Sequence, residues 1–254
     1  MVGVGDVNQR WVRRFSPVSG AGIRLACLPH AGGSASYFLP VARALAPGCE
    51  VLAVQYPGRQ DRRLEKPFES VGELADAVAE QLLPWTDRPL AIFGHSLGAV
   101  VGFEVAGRLA EKGCEPVALV VSGRRAPDRV RVEDVRNRTD EGILAEVDAL
   151  GGTDPLALAD PEMRQMVLTA LRADYTAVET YRYVEREPLR APISAHIGVD
   201  DPRVTVEEAQ GWARHTTGGF ELNTYPGGHF YLNTAAAEVI ANLRRVLRAA
   251  QGGV

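Results

Sequence analysis

Short apolar runs along the chain alternate with longer stretches in which apolar residues return every three or four positions. The runs Arg24–Leu28, Glu50–Val54, Leu90–Phe93, Ala118–Ser122, Ile193–Ile197 and Phe220–Tyr225 are short and nearly continuous. That is the pattern of strands covered on both faces. Helical periodicity fills the intervals Tyr37–Leu45, Val71–Leu83, Ala99–Glu111, Val206–Thr216 and Ala235–Ala249. Thr205-Val206-Glu207-Glu208 has the spacing of a capping box, and Gly113 follows the helix that ends near Lys112. The alternation predicts an α/β fold with a mostly parallel central sheet and helices on both faces. Residues 1–15 and the tail Gln251-Gly252-Gly253-Val254 are expected to be frayed ends.

One interval breaks the rhythm. From Asp128 to about Arg190 no strand pattern occurs. Two helical patterns, Glu141–Leu150 and Glu162–Tyr183, are joined by Gly151-Gly152-Thr153-Asp154-Pro155. An insertion of this length between core strands is commonly a lid or cap; a helical pair simply packed on the sheet is the plainer alternative. The expectation is one domain over residues 1–254 with a lid insertion at about 128–190.

Composition narrows the function classes. The 254 residues hold 46% hydrophobic and 24% charged side chains, enough to bury a core without metals or disulfides. The net charge of −4 and the lack of any basic run argue against a nucleic-acid footprint. No apolar stretch approaches the roughly 20 residues that cross a bilayer, and Met1–Arg14 lack the apolar segment of a signal peptide. Cys27, Cys49 and Cys114 are unclustered and odd in number, as in reduced thiols of a cytoplasmic protein. No histidine sits at metal-ligand spacing, so no metal or cofactor is expected.

The candidate chemistry begins at Phe93-Gly94-His95-Ser96-Leu97-Gly98-Ala99, between an expected strand and an expected helix. In that setting G-x-S-x-G holds a serine on a tight turn, exposing its hydroxyl above the sheet edge. Gly94 and Gly98 remove clashes, and the helix N-terminus favours an anion there. His95 adjoins Ser96, but neighbours on such a turn point apart. A base is better supplied by His229, in Tyr225-Pro226-Gly227-Gly228-His229-Phe230 after the last strand. His30 would shape its loop, His196 pack within a strand and His215 lie on a helix surface. The orienting acid falls in Gly198-Val199-Asp200-Asp201-Pro202, after the penultimate strand. The chain order is then Ser, Asp, His. Asp201, before Pro202 and three residues past Gly198, is preferred to Asp200, whose alternative role is to stabilise a turn. The strand before it ends Val121-Ser122-Gly123-Arg124 with no carboxylate until Asp128. Leu28-Pro29-His30-Ala31-Gly32-Gly33-Ser34 can lend backbone donors to an oxyanion, the expected pair being the N–H groups of Ala31 and Leu97. Arg59, Arg62 and Arg63 form a positive cluster that could dock an acidic partner, though solvated surface charge is the default.

Taken together the chain resembles the type II thioesterases, free-standing α/β-hydrolases that accompany polyketide synthases and nonribosomal peptide synthetases. The matching stretches are Leu28-Pro29-His30-Ala31-Gly32-Gly33, Gln55-Tyr56-Pro57-Gly58-Arg59, Gly94-His95-Ser96-Leu97-Gly98-Ala99, Ser122-Gly123-Arg124-Arg125-Ala126-Pro127, Leu150-Gly151-Gly152-Thr153, Leu171-Arg172-Ala173-Asp174 and Gly227-Gly228-His229-Phe230-Tyr231-Leu232. They run in family order over about residues 20–245. The polar His196 before Gly198 is one departure, where an apolar strand is usual. The resemblance implies an α/β-hydrolase fold, a triad of Ser96, Asp201 and His229, and a mobile lid over a channel for a phosphopantetheine arm. It also implies hydrolysis of stalled or misprimed acyl groups from acyl or peptidyl carrier proteins. A small-ester carboxylesterase or lipase with the same triad, and a non-enzymatic binder on the same scaffold, are the rival readings. Monomer is the default state.

Overall fold

The computed structural model describes residues 9–152 and 160–252. Seven strands form one sheet: β1 (Val12–Arg13), β2 (Arg24–Leu28), β3 (Glu50–Val54), β4 (Leu90–His95), β5 (Ala118–Ser122), β6 (Ile193–Gly198) and β7 (Phe220–Tyr225). Their order is β1-β3-β2-β4-β5-β6-β7. All neighbours are parallel except β1, which pairs antiparallel with β3. The expected parallel α/β sheet is therefore present. Of the expected frayed start, residues 1–8 lie outside the described residues, residues 9–11 are helical and β1 is ordered. Val12 and Arg13 pair with Val54 and Ala53 and close the open edge of β3. Two residues are too few to show a period, which is why the sequence pattern misses them.

Helices cover both faces. On one side lie α2 (Val71–Leu82) and α3 (Leu97–Glu111); on the other lie α1 (Leu39–Leu45) and α8 (Ala236–Gly252). Strand side chains alternate between the two cores: Ala26 and Leu28 of β2 face the first, Leu25 and Cys27 the second. Helix α8 buries Val239, Leu243, Val246 and Leu247, a stripe at helical spacing. Each large apolar side chain buried this way stabilises the fold by roughly 1.5–3 kcal/mol. The same helix carries on through Gln251 and Gly252, so that part of the tail is ordered; Gly253 and Val254 lie outside the described residues.

Two expected helices are subdivided. Residues 206–216 form α6 (Val206–Gln210) and a 3-10 turn, Gly211–His215; a 3-10 turn, Ala35–Phe38, also precedes α1, and the short helix α7 (Tyr231–Thr234) precedes α8. The capping box at Thr205 and Glu208 is made in both directions. Gly113 takes the left-handed conformation after α3, with φ of 74°. The insertion contains α4 (Asp140–Ala149) and α5 (Pro161–Thr180). The stretch Thr153-Asp154-Pro155 of its connector lies outside the described residues. Helix α5 buries Leu168, Leu171, Tyr175 and Val178, whereas α4 buries Ile143 alone.

Candidate active site

The chain crosses from β2 out to β3 and returns to β4 on the other flank of β2. Loops after β2 and β4 therefore diverge across a topological switch point, where parallel α/β sheets place their ligands. Ser96 occupies the turn between β4 and α3 with φ of 56° and ψ of −113°. A non-glycine residue held there stores about 1–3 kcal/mol of strain. The Ser96 N–H donates to the Ser122 carbonyl of β5 at 2.8 Å, which helps hold the turn. Steric need at the flanking glycines is direct. A Cβ on Gly94 would lie 2.0 Å from the Gly98 carbonyl oxygen, and one on Gly98 would lie 2.1 Å from that of Leu28. The serine turn and the loop after β2 touch backbone to backbone.

The same device joins the two distal loops. A Cβ on Gly198 would sit 2.3 Å from the Gly228 oxygen and 2.4 Å from that of Gly227. Across this contact His229 Nδ1 hydrogen-bonds Asp201 Oδ2 at 2.8 Å. The other carboxylate oxygen, Oδ1, accepts the Arg203 N–H at 2.8 Å. Both side chains are buried. Asp200 is exposed and contributes its backbone N–H to Gly227. The carboxylate that meets the imidazole is thus Asp201, and Arg203 is a supporting donor that sequence reasoning missed.

Ser96, His229, Ala31 and Leu97 line one cavity of about 30 Å³. Val147 and Leu150, at the end of α4, and Tyr175 and Val178 of α5 roof it, with Phe230 beside them. The N–H groups of Ala31 and Leu97 have no hydrogen-bond partner among the described residues. Arg124, Glu133 and Arg203 also line this cavity. Arg203 donates to Glu133 at 3.1 Å, and Arg124 lies 3.9 Å from it. Burial pulls Arg124 down to about 10, leaving it cationic at neutral pH, and holds Glu133, despite its own desolvation, at about 2 through the surrounding guanidiniums. No sequence pattern gathers these three residues, which come from three separate segments.

The remaining histidines divide as follows. His95 is buried, meets Ser122 Oγ through Nδ1 at 2.9 Å and packs with its ring centre 5.0 Å from that of His229. His30 packs edge-on against Tyr37 and Phe230, with burial lowering it to about 3. His196, the polar departure in β6, is buried between Ser194 Oγ at 2.9 Å and Tyr225 Oη at 3.0 Å and held neutral by burial at about 4. His215 is not a surface residue. It packs with Phe103, Tyr183 and Trp212, and its Nε2 meets Asp128 at 3.1 Å.

The arginine cluster also differs from expectation. Arg59 and Arg62 are buried and only Arg63 is exposed. Arg62 donates to the Gln55 carbonyl and to Glu65, and its guanidinium lies 4.0 Å from the Trp11 ring centre. Arg59 pairs with Asp174. Internal carboxylates and rings consume the charges that would have met a partner.

A family model described as thioesterase domain matches residues 23–247. The chain is 49% identical over 227 residues to the "Probable cadicidin biosynthesis thioesterase" of Streptomyces griseus, covering 89% of this chain and 63% of that one. It is 47% identical over 244 residues to "Thioesterase PikA5" of Streptomyces venezuelae, covering 95% and 87% of the two chains. Among solved structures, the type II thioesterase BorB from the borrelidin biosynthetic cluster superposes with a TM-score of 0.88 at 47% identity, over 93% of this chain and 97% of that one.

Proposed function

This chain belongs to the thioesterase family, and from that premise we propose that it hydrolyses acyl groups from the phosphopantetheine arm of acyl or peptidyl carrier proteins in polyketide or nonribosomal peptide biosynthesis. The observation that carries this reading is the convergence of Ser96, the Asp201-bonded His229 and two uncommitted backbone N–H groups on a single cavity. Ser96 Oγ attacks the thioester carbonyl while His229 Nε2 takes its proton. Asp201 holds the proton on Nδ1 and stabilises the imidazolium that forms. The N–H groups of Ala31 and Leu97, with the N-terminus of α3 behind them, receive the charge on the carbonyl oxygen. His229 gives that proton to the sulfur as the C–S bond breaks, so the pantetheine leaves as its thiol and the acyl group remains as an ester on Ser96. Water, deprotonated by His229, then releases the carboxylic acid and regenerates Ser96.

A cavity of about 30 Å³ has room for about one water molecule. An acyl-pantetheine arm needs the roof to move, so the insertion acts as a lid. Helix α4 is the movable part, because it buries one side chain where α5 buries a full stripe. Partner specificity resides in the carrier protein, and one chain supplies every group the reaction needs, so the enzyme works as a monomer. No described helix is long and apolar enough to cross a membrane. Its free thiols suit the cytoplasm.

The test compares acyl groups carried on holo-carrier protein with matched oxygen esters. Faster turnover of the carrier thioesters, abolished in Ser96→Ala, supports the reading. Equal or better turnover of the oxygen esters, with no carrier preference, would make the protein a small-ester hydrolase.

A further inference from the structure

Two sequence motifs have no part in the chemistry above: Gln55-Tyr56-Pro57-Gly58-Arg59 and Leu171-Arg172-Ala173-Asp174. They meet under the oxyanion loop, 115 residues apart in sequence. Asp174 Oδ2 accepts the Gly32 N–H at 2.7 Å. Arg59 Nη1 and Nη2 donate to Asp174 Oδ2 and Oδ1, both at 2.9 Å, and Nη1 also reaches the Gly33 carbonyl at 3.2 Å. Gln55 Oε1 accepts the Ala35 N–H at 2.9 Å, and Gln55 Nε2 donates to the Arg59 carbonyl at 3.4 Å. Gly32, Gly33 and Ala35 are each pinned by one side chain, and Ala31, one residue upstream, keeps its N–H uncommitted. Helix α5 also presses on the loop through Leu171, one turn before Asp174. A Cβ on Gly32, whose φ is 72°, would come within 2.6 Å of Leu171 Cδ2.

We propose that Asp174 and Arg59 are positioning residues for the oxyanion loop, so that the aim of the Ala31 N–H depends on the seating of helix α5. This rests on the reading of Ala31 as an oxyanion donor. The physical reason is the shared Cα. The peptide plane that carries the Ala31 N–H and the plane that carries the Gly32 N–H are hinged at Ala31, and Asp174 fixes the second plane. The ion pair is buried, with Asp174 1% and Arg59 6% exposed, so water cannot substitute for either partner. A hydrogen bond to an ionised acceptor in such a site is short and directional. The roof helix therefore has a second task. Its C-terminal half stays fixed to the catalytic floor while entry of substrate is left to α4.

The experiment separates positioning from folding. Arg59→Met/Asp174→Leu removes both charges together and leaves no unpaired buried ion, so the fold is retained while the Gly32 anchor is lost. Measured on an acyl-N-acetylcysteamine thioester, kcat is expected to fall roughly 10- to 100-fold, less than the loss from deleting a donor outright. KM is expected to stay within about twofold. Affinity for an alkyl trifluoromethyl ketone, which forms an oxyanion on Ser96, falls by the same factor as kcat. Affinity for the free acid product does not change. A folded double variant with kcat within about threefold of wild type, or one whose loss lies in KM, overturns the proposal. Should the double variant fail to fold, Asp174→Asn and Asp174→Ala are compared. The amide oxygen of the former still accepts the Gly32 N–H, so its kcat stays well above that of the latter at similar thermal midpoints; equal kcat values overturn the proposal. Thioester hydrolysis surviving in Ser96→Ala would instead remove the catalytic reading on which the proposal stands.

Discussion

The choice between two adjacent carboxylates gives the sharpest mutational test. Asp201 is buried, and its two oxygens accept from His229 Nδ1 at 2.8 Å and from the Arg203 N–H at 2.8 Å. In Asp201→Asn the amide group can donate to Nδ1. The imidazole proton then moves to Nε2, the atom proposed to take the Ser96 proton, where it blocks abstraction. The same substitution removes the negative charge that stabilises the imidazolium. Loss of the orienting acid in a serine triad costs roughly 10⁴ in kcat, or about 5.4 kcal/mol at 1.36 kcal/mol per decade. Asp200 offers the site only its backbone, so Asp200→Asn is expected to change kcat by less than about threefold, as surface substitutions generally do. Steady-state hydrolysis of a soluble acyl thioester, with thermal midpoints as a control for folding, measures both. Equal losses, or a larger loss at Asp200, would refute the reasoning from geometry.

Other consequences follow from the same contacts. Gly98→Ala forces α3 and the loop after β2 apart by about 1 Å, since its Cβ would lie 2.1 Å from the Leu28 oxygen; misplacement of that size costs about 10²-fold in kcat/KM. An unchanged kcat/KM would mean the two segments are not held in register. In the native protein Ellman's reagent is expected to modify Cys114 alone, because burial raises Cys27 well above its ordinary value and Cys49 to about 12; rapid reaction of two or three thiols would contradict this. Amides of α4 are expected to exchange at least tenfold faster than those of Leu168–Val178, and uniform protection across the insertion would argue for a fixed cap. His196 is buried neutral at about 4 against an ordinary value of 6.5. The unfolded chain therefore binds more protons between those values, and stability present above pH 6.5 is lost as pH falls toward 4. The slope is about 1.4 kcal/mol per pH unit for each such histidine. Urea unfolding of His196→Gln should show a shallower loss between pH 6.5 and 4.5, a window above the ordinary carboxylate range; an identical slope would show that His196 does not carry this linkage.

Much of the molecule is legible in local pattern because local physics decides it. Five of the strands, β2 to β6, are buried on both faces, and short apolar runs follow from that, whereas β7 is mostly half-buried. The serine turn and the His229 loop announce themselves because close backbone approach demands glycine at 94, 98 and 198, and sequence retains those glycines. What stays hidden depends on partners far along the chain. Arg59 and Arg62 look solvated until Asp174 and Trp11 are brought to them. His215 looks exposed until Asp128 and three aromatic rings enclose it. The insertion's contribution to the cavity, from Val147, Tyr175 and Glu133, is set by how it folds back, which no periodicity encodes. The polar His196 within β6 is accommodated by Ser194 and Tyr225, one from its own strand and one from the next.

The central claim is that acyl groups pass through a covalent ester on Ser96. Acid-quenched peptide mapping by mass spectrometry, within the first turnovers of an acyl-carrier substrate, tests it most directly. The account predicts an acyl mass on the peptide bearing Ser96, absent from Ser96→Ala, with hydrolysis abolished in that variant. An acyl mass on another residue, or undiminished hydrolysis by Ser96→Ala, would contradict it.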